Sequence, residues 1–185
     1  MKNEDWIKIY KKAYKIIGRN TPLAGDCGLL CNNACCQGDS TSGMLLFPGE
    51  ENIFKSQKHS EIFSLTPLHV DNQLNTYLVV CQGECKRKYR PLACRIFPYL
   101  PIINTNNEIE VIKDPRAFSV CPLVHLQNED FHDVKNESFE NSIYEAFSYL
   151  VQYDYVPEFL NELYKSAREY KLTRDIFLDS KNTPG

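Results

Sequence analysis

Eight cysteines in two clusters limit what this chain can become. The first cluster is Cys27, Cys31, Cys35 and Cys36, with two three-residue spacers and then an adjacent pair. The second opens with Cys81 and Cys85 and continues through Cys94 and Cys121. Thiolate is a soft ligand that selects zinc, iron–sulfur clusters or Cu(I). Two ligands a few residues apart chelate from one turn. Two chelates from distant segments complete a four-ligand site, and closing the loop between them contributes to folding. All eight cysteines form the expected ligand pool, with Cys31, Cys35, Cys85 and Cys94 foremost.

Whether such thiols pair with one another or with a metal depends on the compartment. The chain begins Met1-Lys2-Asn3-Glu4-Asp5, and no apolar stretch of the kind a secretory signal needs follows. No run approaches the ~18 apolar residues of a membrane span. The expectation is a cytoplasmic protein with no membrane attachment and reduced cysteines, which favours metal ligation over disulfides. A net charge of -3 gives no global reason to expect nucleic acid as a partner.

Zinc and iron–sulfur readings both remain open at this point. Four-cysteine zinc sites use two-to-four-residue spacers, which Cys27/Cys31, Cys31/Cys35 and Cys81/Cys85 satisfy. Iron–sulfur clusters also take four thiolates, and a Cys–Pro step such as Cys121-Pro122 occurs in ferredoxin ligand runs. A radical-cluster motif fits poorly, because its spacers are unequal and the chain is short for a barrel. In extended backbone Cys35 and Cys36 would point to opposite sides. The pair is therefore expected to serve two metals, or to supply one ligand and one buried thiol. One larger cluster is also compatible with eight thiols.

Cationic and imidazole groups flank these cysteines. The stretch Lys86-Arg87-Lys88-Tyr89-Arg90 reads as a solvated basic loop, whereas Arg95, beside Cys94, is placed to offset thiolate charge. His125 lies four residues after Cys121 and is a candidate ligand. His59, His69 and His132 have no metal spacing. No Ser/His/Asp order, phosphate-binding glycine loop or paired-carboxylate motif is present.

The remaining pattern predicts an α+β fold. A small antiparallel sheet and cysteine-rich metal-binding loops should pack with N- and C-terminal helices. With 43% hydrophobic and 24% charged residues, 185 residues suit one domain over 1–185. Its parts are an N-terminal helix within 1–20, a cysteine-rich core over 21–126, helices over 134–178 and a disordered tail over 179–185. Trp6, Ile9, Tyr10, Ala13, Ile16 and Ile17 line one face of a helix over 3–17, capped by Asn3 and stopped by Gly18. Met44 to Phe47, Ile62 to Leu65 and Thr76 to Cys81 read as strands, the last two joined by a turn at 71–73. A short helix opens at Pro48-Gly49-Glu50-Glu51 and ends near Lys58. Leu100 to Ile103 and Ile109 to Ile112 read as a hairpin across Asn104-Thr105-Asn106-Asn107, closed by Asp114-Pro115. Phe139, Ile143, Ala146, Phe147, Leu150 and Val151 form a helical stripe capped by Asn136. Pro157 opens a last helix carrying Leu160, Leu163, Tyr164 and Ala167.

Cys27 to Cys36 and the block Arg90-Pro91-Leu92-Ala93-Cys94-Arg95-Ile96-Phe97-Pro98 resemble the zinc- or iron-chelating CxxCxxCC domain family, also called the YkgJ family. The resemblance covers roughly Cys27 to Cys121, and its specific part is Arg-Pro-x-x-Cys-Arg-x-Phe-Pro. The first block has three-residue spacers where the family uses two. The cysteine pattern is also similar to that of flagellin lysine N-methylases. The resemblance implies a metal-binding protein, with a structural or redox/regulatory centre of zinc or iron–sulfur, on Cys27, Cys31, Cys35, Cys36, Cys81, Cys85, Cys94 and Cys121. It leaves two alternatives: an iron–sulfur enzyme related to protein lysine N-methylation, and a zinc-stabilised protein-interaction module.

Overall fold

The amphipathic N-terminal segment forms helix α1, Asn3–Ile17. Trp6, Ile9, Tyr10, Ala13 and Ile17 recur every three or four residues and are all buried. Gly18 ends it at φ 59°, donating its N–H to the Tyr14 carbonyl at 2.9 Å. The computed structural model describes residues 3–23, 25, 27–36, 43–56, 62–70, 74–81, 86–125 and 136–182, with side chains at all of these except 3, 30, 56, 137 and 177–182. Cys85, His59, His132 and the expected turn at 71–73 lie outside them, as does the expected helix end near Lys58.

The elements after α1 are β1 (Met44–Leu45), α2 (Glu51–Ser56), β2 (Phe63–His69), β3 (Asn75–Cys81) and α3 (Leu92–Ile96). Then come β4 (Tyr99–Ile103), β5 (Ile109–Lys113), α4 (Glu137–Leu150) and α5 (Val156–Asn182). The fold is α+β, as the pattern predicts, but with two antiparallel sheets where one is expected. One has the order β1-β3-β2 and the other is the β4–β5 hairpin. β2 pairs with β3 from Phe63↔Cys81 to His69↔Asn75. β1 is shorter than predicted, because the chain turns after Leu46 into α2. The hairpin turn is built by Asn104, whose Oδ1 accepts from the N–H groups of Asn106 and Glu108. Asn107 takes φ 63°, which asparagine tolerates.

α1 packs on α4 and α2, and α5 lies against β4. Phe47 sits between these layers, with ring centroids 4.9 Å from Phe147 and 5.5 Å from Phe159 in edge arrangements. Asn136 stands at the N-terminus of α4, but its side chain makes no capping bond. Ser138 donates to its Oδ1 instead, and its own N–H reaches the Pro22 carbonyl. α5 runs through Asn182, past the predicted end at 178 and into the stretch expected to be disordered. Its first half buries Val156, Phe159, Leu160, Leu163 and Ala167, whereas Leu172 and Ile176 further along are exposed. Among the described residues, no helix is long and apolar enough to cross a membrane.

Candidate metal centre

The first cysteine cluster lacks hydrophobic periodicity, and its backbone bonds are local. Cys27–Leu30 and Ala34–Cys36 form two 3-10 turns. Asn32 and Asn33 join them at φ 49° and 55°, left-handed conformations in which asparagine is among the least strained residues. The N–H groups of Cys31 and Asn33 reach the Gly28 carbonyl, and that of Cys36 reaches the Asn33 carbonyl at 2.7 Å. Because the backbone is coiled here and not extended, Cys35 and Cys36 do not diverge as expected. Their thiols share a hydrogen bond.

The thiols of this cluster act on one another. The hydrogen bond with Cys36 pushes the Cys35 thiol far up, with burial and then the charges of Cys36, Cys31 and Cys27 adding to it. Cys121, from a distant segment, joins them. It is buried with Ala117, Leu123 and Val124, and Cys27 packs against that group. Burial raises the Cys121 thiol, as do Cys27 and Cys31, whereas the N–H groups of Leu123 and Val124 pull it back.

The second cluster reaches the same region from the other side. Cys81 ends β3 opposite Phe63, and Cys94 lies in α3. Cys35, Cys36, Cys81 and Cys94 line one cavity of about 400 Å³ together with Arg90, Asp114 and Arg116. The Cys35–Cys36 turn is therefore shared between the first cluster and the cavity. Seven of the eight cysteines lie within this region, and no disulfide joins any of those seven.

A buried polar network fixes the helix that carries Cys94. Glu50, wholly buried, accepts from the N–H of Leu92 at 2.6 Å, from the N–H of Phe47 at 3.1 Å and from the Tyr14 hydroxyl at 2.5 Å. Burial pushes its carboxyl up to about 7, against the three donors and the nearby Arg95. Arg95 stacks over the Tyr14 ring at 4.2 Å and donates to the carbonyls of Arg90 and Lys88. It thus clamps the turn before Cys94, and its charge also acts favourably on the Cys94 thiol, in the sense expected of it. Glu50 and Tyr14 were not legible as site residues. Their signal is an acid inside the apolar stretch 44–54 and a tyrosine one turn after Tyr10.

Other expected residues fall as follows. Arg116 forms an ion pair with Asp114, with Nη2 2.7 Å from Oδ2. Lys88 stacks on Tyr89, and Arg87 donates to the Asn20 carbonyl. His125 places Nε2 2.6 Å from the Phe118 carbonyl, so that ring nitrogen is engaged away from the thiols. Among the described residues, no three His, Cys, Asp or Glu side chains stand close enough to hold an ion as they are arranged. The donor chemistry nevertheless fits a soft metal. Neighbouring thiols raise the proton affinity of Cys35 and of Cys121, and such thiols ionise together only if a cation offsets their charge. Comparison with protein families, curated proteins and solved structures finds no match for this chain.

Proposed function

We propose that this is a cysteine-cluster metal-binding protein, holding zinc or an iron–sulfur cluster as a structural or redox/regulatory centre. The observation that supports it is the meeting of Cys27, Cys31, Cys35, Cys36 and Cys121, with Cys81 and Cys94 across the shared turn. Cys85 completes the ligand pool. On this reading the sulfurs draw together on binding, and the 3-10 turns of 27–36 are the segment that adjusts. Zinc would supply a cross-link between distant segments, and an iron–sulfur cluster would supply an electron-carrying centre. The chain's own part is to gather soft donors, to lower the proton affinity of Cys121 with two backbone N–H groups, and to fix Cys94 through Glu50 and Arg95.

Anaerobic purification with a visible spectrum and a sulfide assay tests this. A brown protein with sulfide identifies a cluster, and a colourless one with zinc identifies the cross-link. A colourless, metal-free and folded protein overturns the proposal. The cavity beside the thiols is room for a substrate and so is compatible with a second reading, an iron–sulfur enzyme, which the resemblance would relate to protein lysine N-methylation. Calorimetric binding of S-adenosylmethionine supports that version, and a flat titration counts against it.

A further inference from the structure

The adjacent cysteines Cys35 and Cys36 join the two halves of the thiol pool. They lie on the 3-10 turn Ala34–Cys36. On one side Cys27 and Cys31 stand within electrostatic reach of Cys35. On the other, both residues line the cavity whose wall includes Cys81 and Cys94. A change that consumes both sulfurs therefore removes donors from each half at once. Accessibility and contact single out the same pair. Among the seven described cysteines Cys35 is exposed, Cys121 is buried and the other five are half-buried. The thiols of Cys35 and Cys36 share a hydrogen bond, so their sulfurs are already neighbours. The other candidates face elsewhere. The Cys31 thiol turns to the Gly28 carbonyl, with Sγ 4.0 Å from the oxygen, and Cys27 packs against the Cys121 group.

We propose that Cys35 and Cys36 form a peroxide-responsive switch, in which oxidation of the pair to a disulfide releases the bound metal. The inference rests on the metal reading, because ligation supplies thiolate, the nucleophilic form of the sulfur. First the exposed Cys35 thiolate attacks hydrogen peroxide. An S–O bond forms, the O–O bond breaks and hydroxide leaves, giving the sulfenic acid. Then the Cys36 thiolate attacks the Cys35 sulfur. The S–S bond forms, the S–O bond breaks and a second hydroxide leaves. The two sulfurs give up two electrons, peroxide is reduced, and solvent protonates both hydroxides to water. Two anionic donors become one neutral disulfide, and the metal cation loses ligands shared by both halves of the pool. Adjacent Cα atoms stand about 3.8 Å apart, short of the ~4.4–6.8 Å usual across a disulfide. The bond is therefore strained, and thiols reduce it readily, which makes the switch reversible.

The test adds hydrogen peroxide to the metal-loaded full chain and follows released metal and disulfides together. Zinc is read with a chelating dye, and an iron–sulfur cluster by the fading of its visible spectrum. Free thiols are alkylated, and fragment-ion mass spectrometry locates the disulfide. The Cys35–Cys36 disulfide should rise in proportion to released metal, with the other cysteines still open to alkylation. Dithiothreitol should restore both thiols, and added metal should return to its starting content. In Cys36→Ser the sulfenic acid has no adjacent thiol, so dimedone should capture Cys35 there and not in the wild type. Metal content is measured on every sample, and where Cys36→Ser fails to hold metal the wild-type map decides alone. Metal lost while Cys35 and Cys36 both remain free overturns the switch, as does a disulfide to any other cysteine. Full metal retention under excess peroxide, or a pair that dithiothreitol does not restore, overturns it likewise. Each of these results leaves the metal reading standing. A wild-type preparation without metal overturns the metal reading, and the switch with it.

Discussion

Glu50 shows how much one residue can connect. Its carboxylate closes the turn after Phe47, receives the Tyr14 hydroxyl and holds the first N–H of α3, two residues before Cys94. Its folded-state pKa is raised from 4.5 to about 7, so the native state holds a proton that the unfolded chain releases. The contribution is fully present below about pH 4.5 and is lost as pH rises through about 7. Glu50→Gln should flatten this part of the stability profile, a difference of at most ~3 kcal/mol in denaturant unfolding at matched metal content. Parallel wild-type and variant profiles would contradict the assignment. Gly49, just before it, has φ +85°, and an added Cβ would stand 2.2 Å from the Trp6 ring. Gly49→Ala should therefore destabilise the protein by roughly 2 kcal/mol or more, read as a shift of the urea midpoint. Cys94→Ser should lower metal content, and unchanged stoichiometry would remove Cys94 from the ligand set.

At the scale of elements, legibility followed periodicity. α1 and the stripe of α4 could be read because the core selects every third or fourth side chain. β2 extends to His69 beyond its apolar residues, since backbone pairing with β3 continues without burial. The cysteine turns could not be read. Turns held by local backbone bonds and left-handed asparagines leave no hydrophobic signature, and the extended-strand geometry assumed for Cys35 and Cys36 was wrong for that reason. The carbonyl partners of the Arg95 side chain, at 88 and 90, could not be read either, because no spacing announces them. If 27–36 is the segment that adjusts around a metal, hydrogen exchange there should slow on metal addition, while the core helix α4 changes little. Equal protection of 27–36 with and without metal would contradict that account.

Over the whole molecule, the helices and sheets form one apolar core drawn from α1, α2, both sheets, α4 and α5. The cysteines lie beside it, with Cys121 in a second, smaller apolar group. Beside that core, the thiols Cys35, Cys36, Cys81 and Cys94 line one cavity. The two cysteine clusters were legible from their spacing, but which of their thiols face one cavity was not. The cavity was not, because its floor comes from Phe47, Phe63, Val79 and Leu100, residues of separate segments that only packing brings together. The central claim is that the gathered thiols hold a metal. Native mass spectrometry of the anaerobically purified chain tests it most directly. The account predicts a folded species heavier than the polypeptide by zinc or by iron and sulfide, which reverts to the polypeptide mass after acid denaturation. A folded species at the polypeptide mass alone would contradict it.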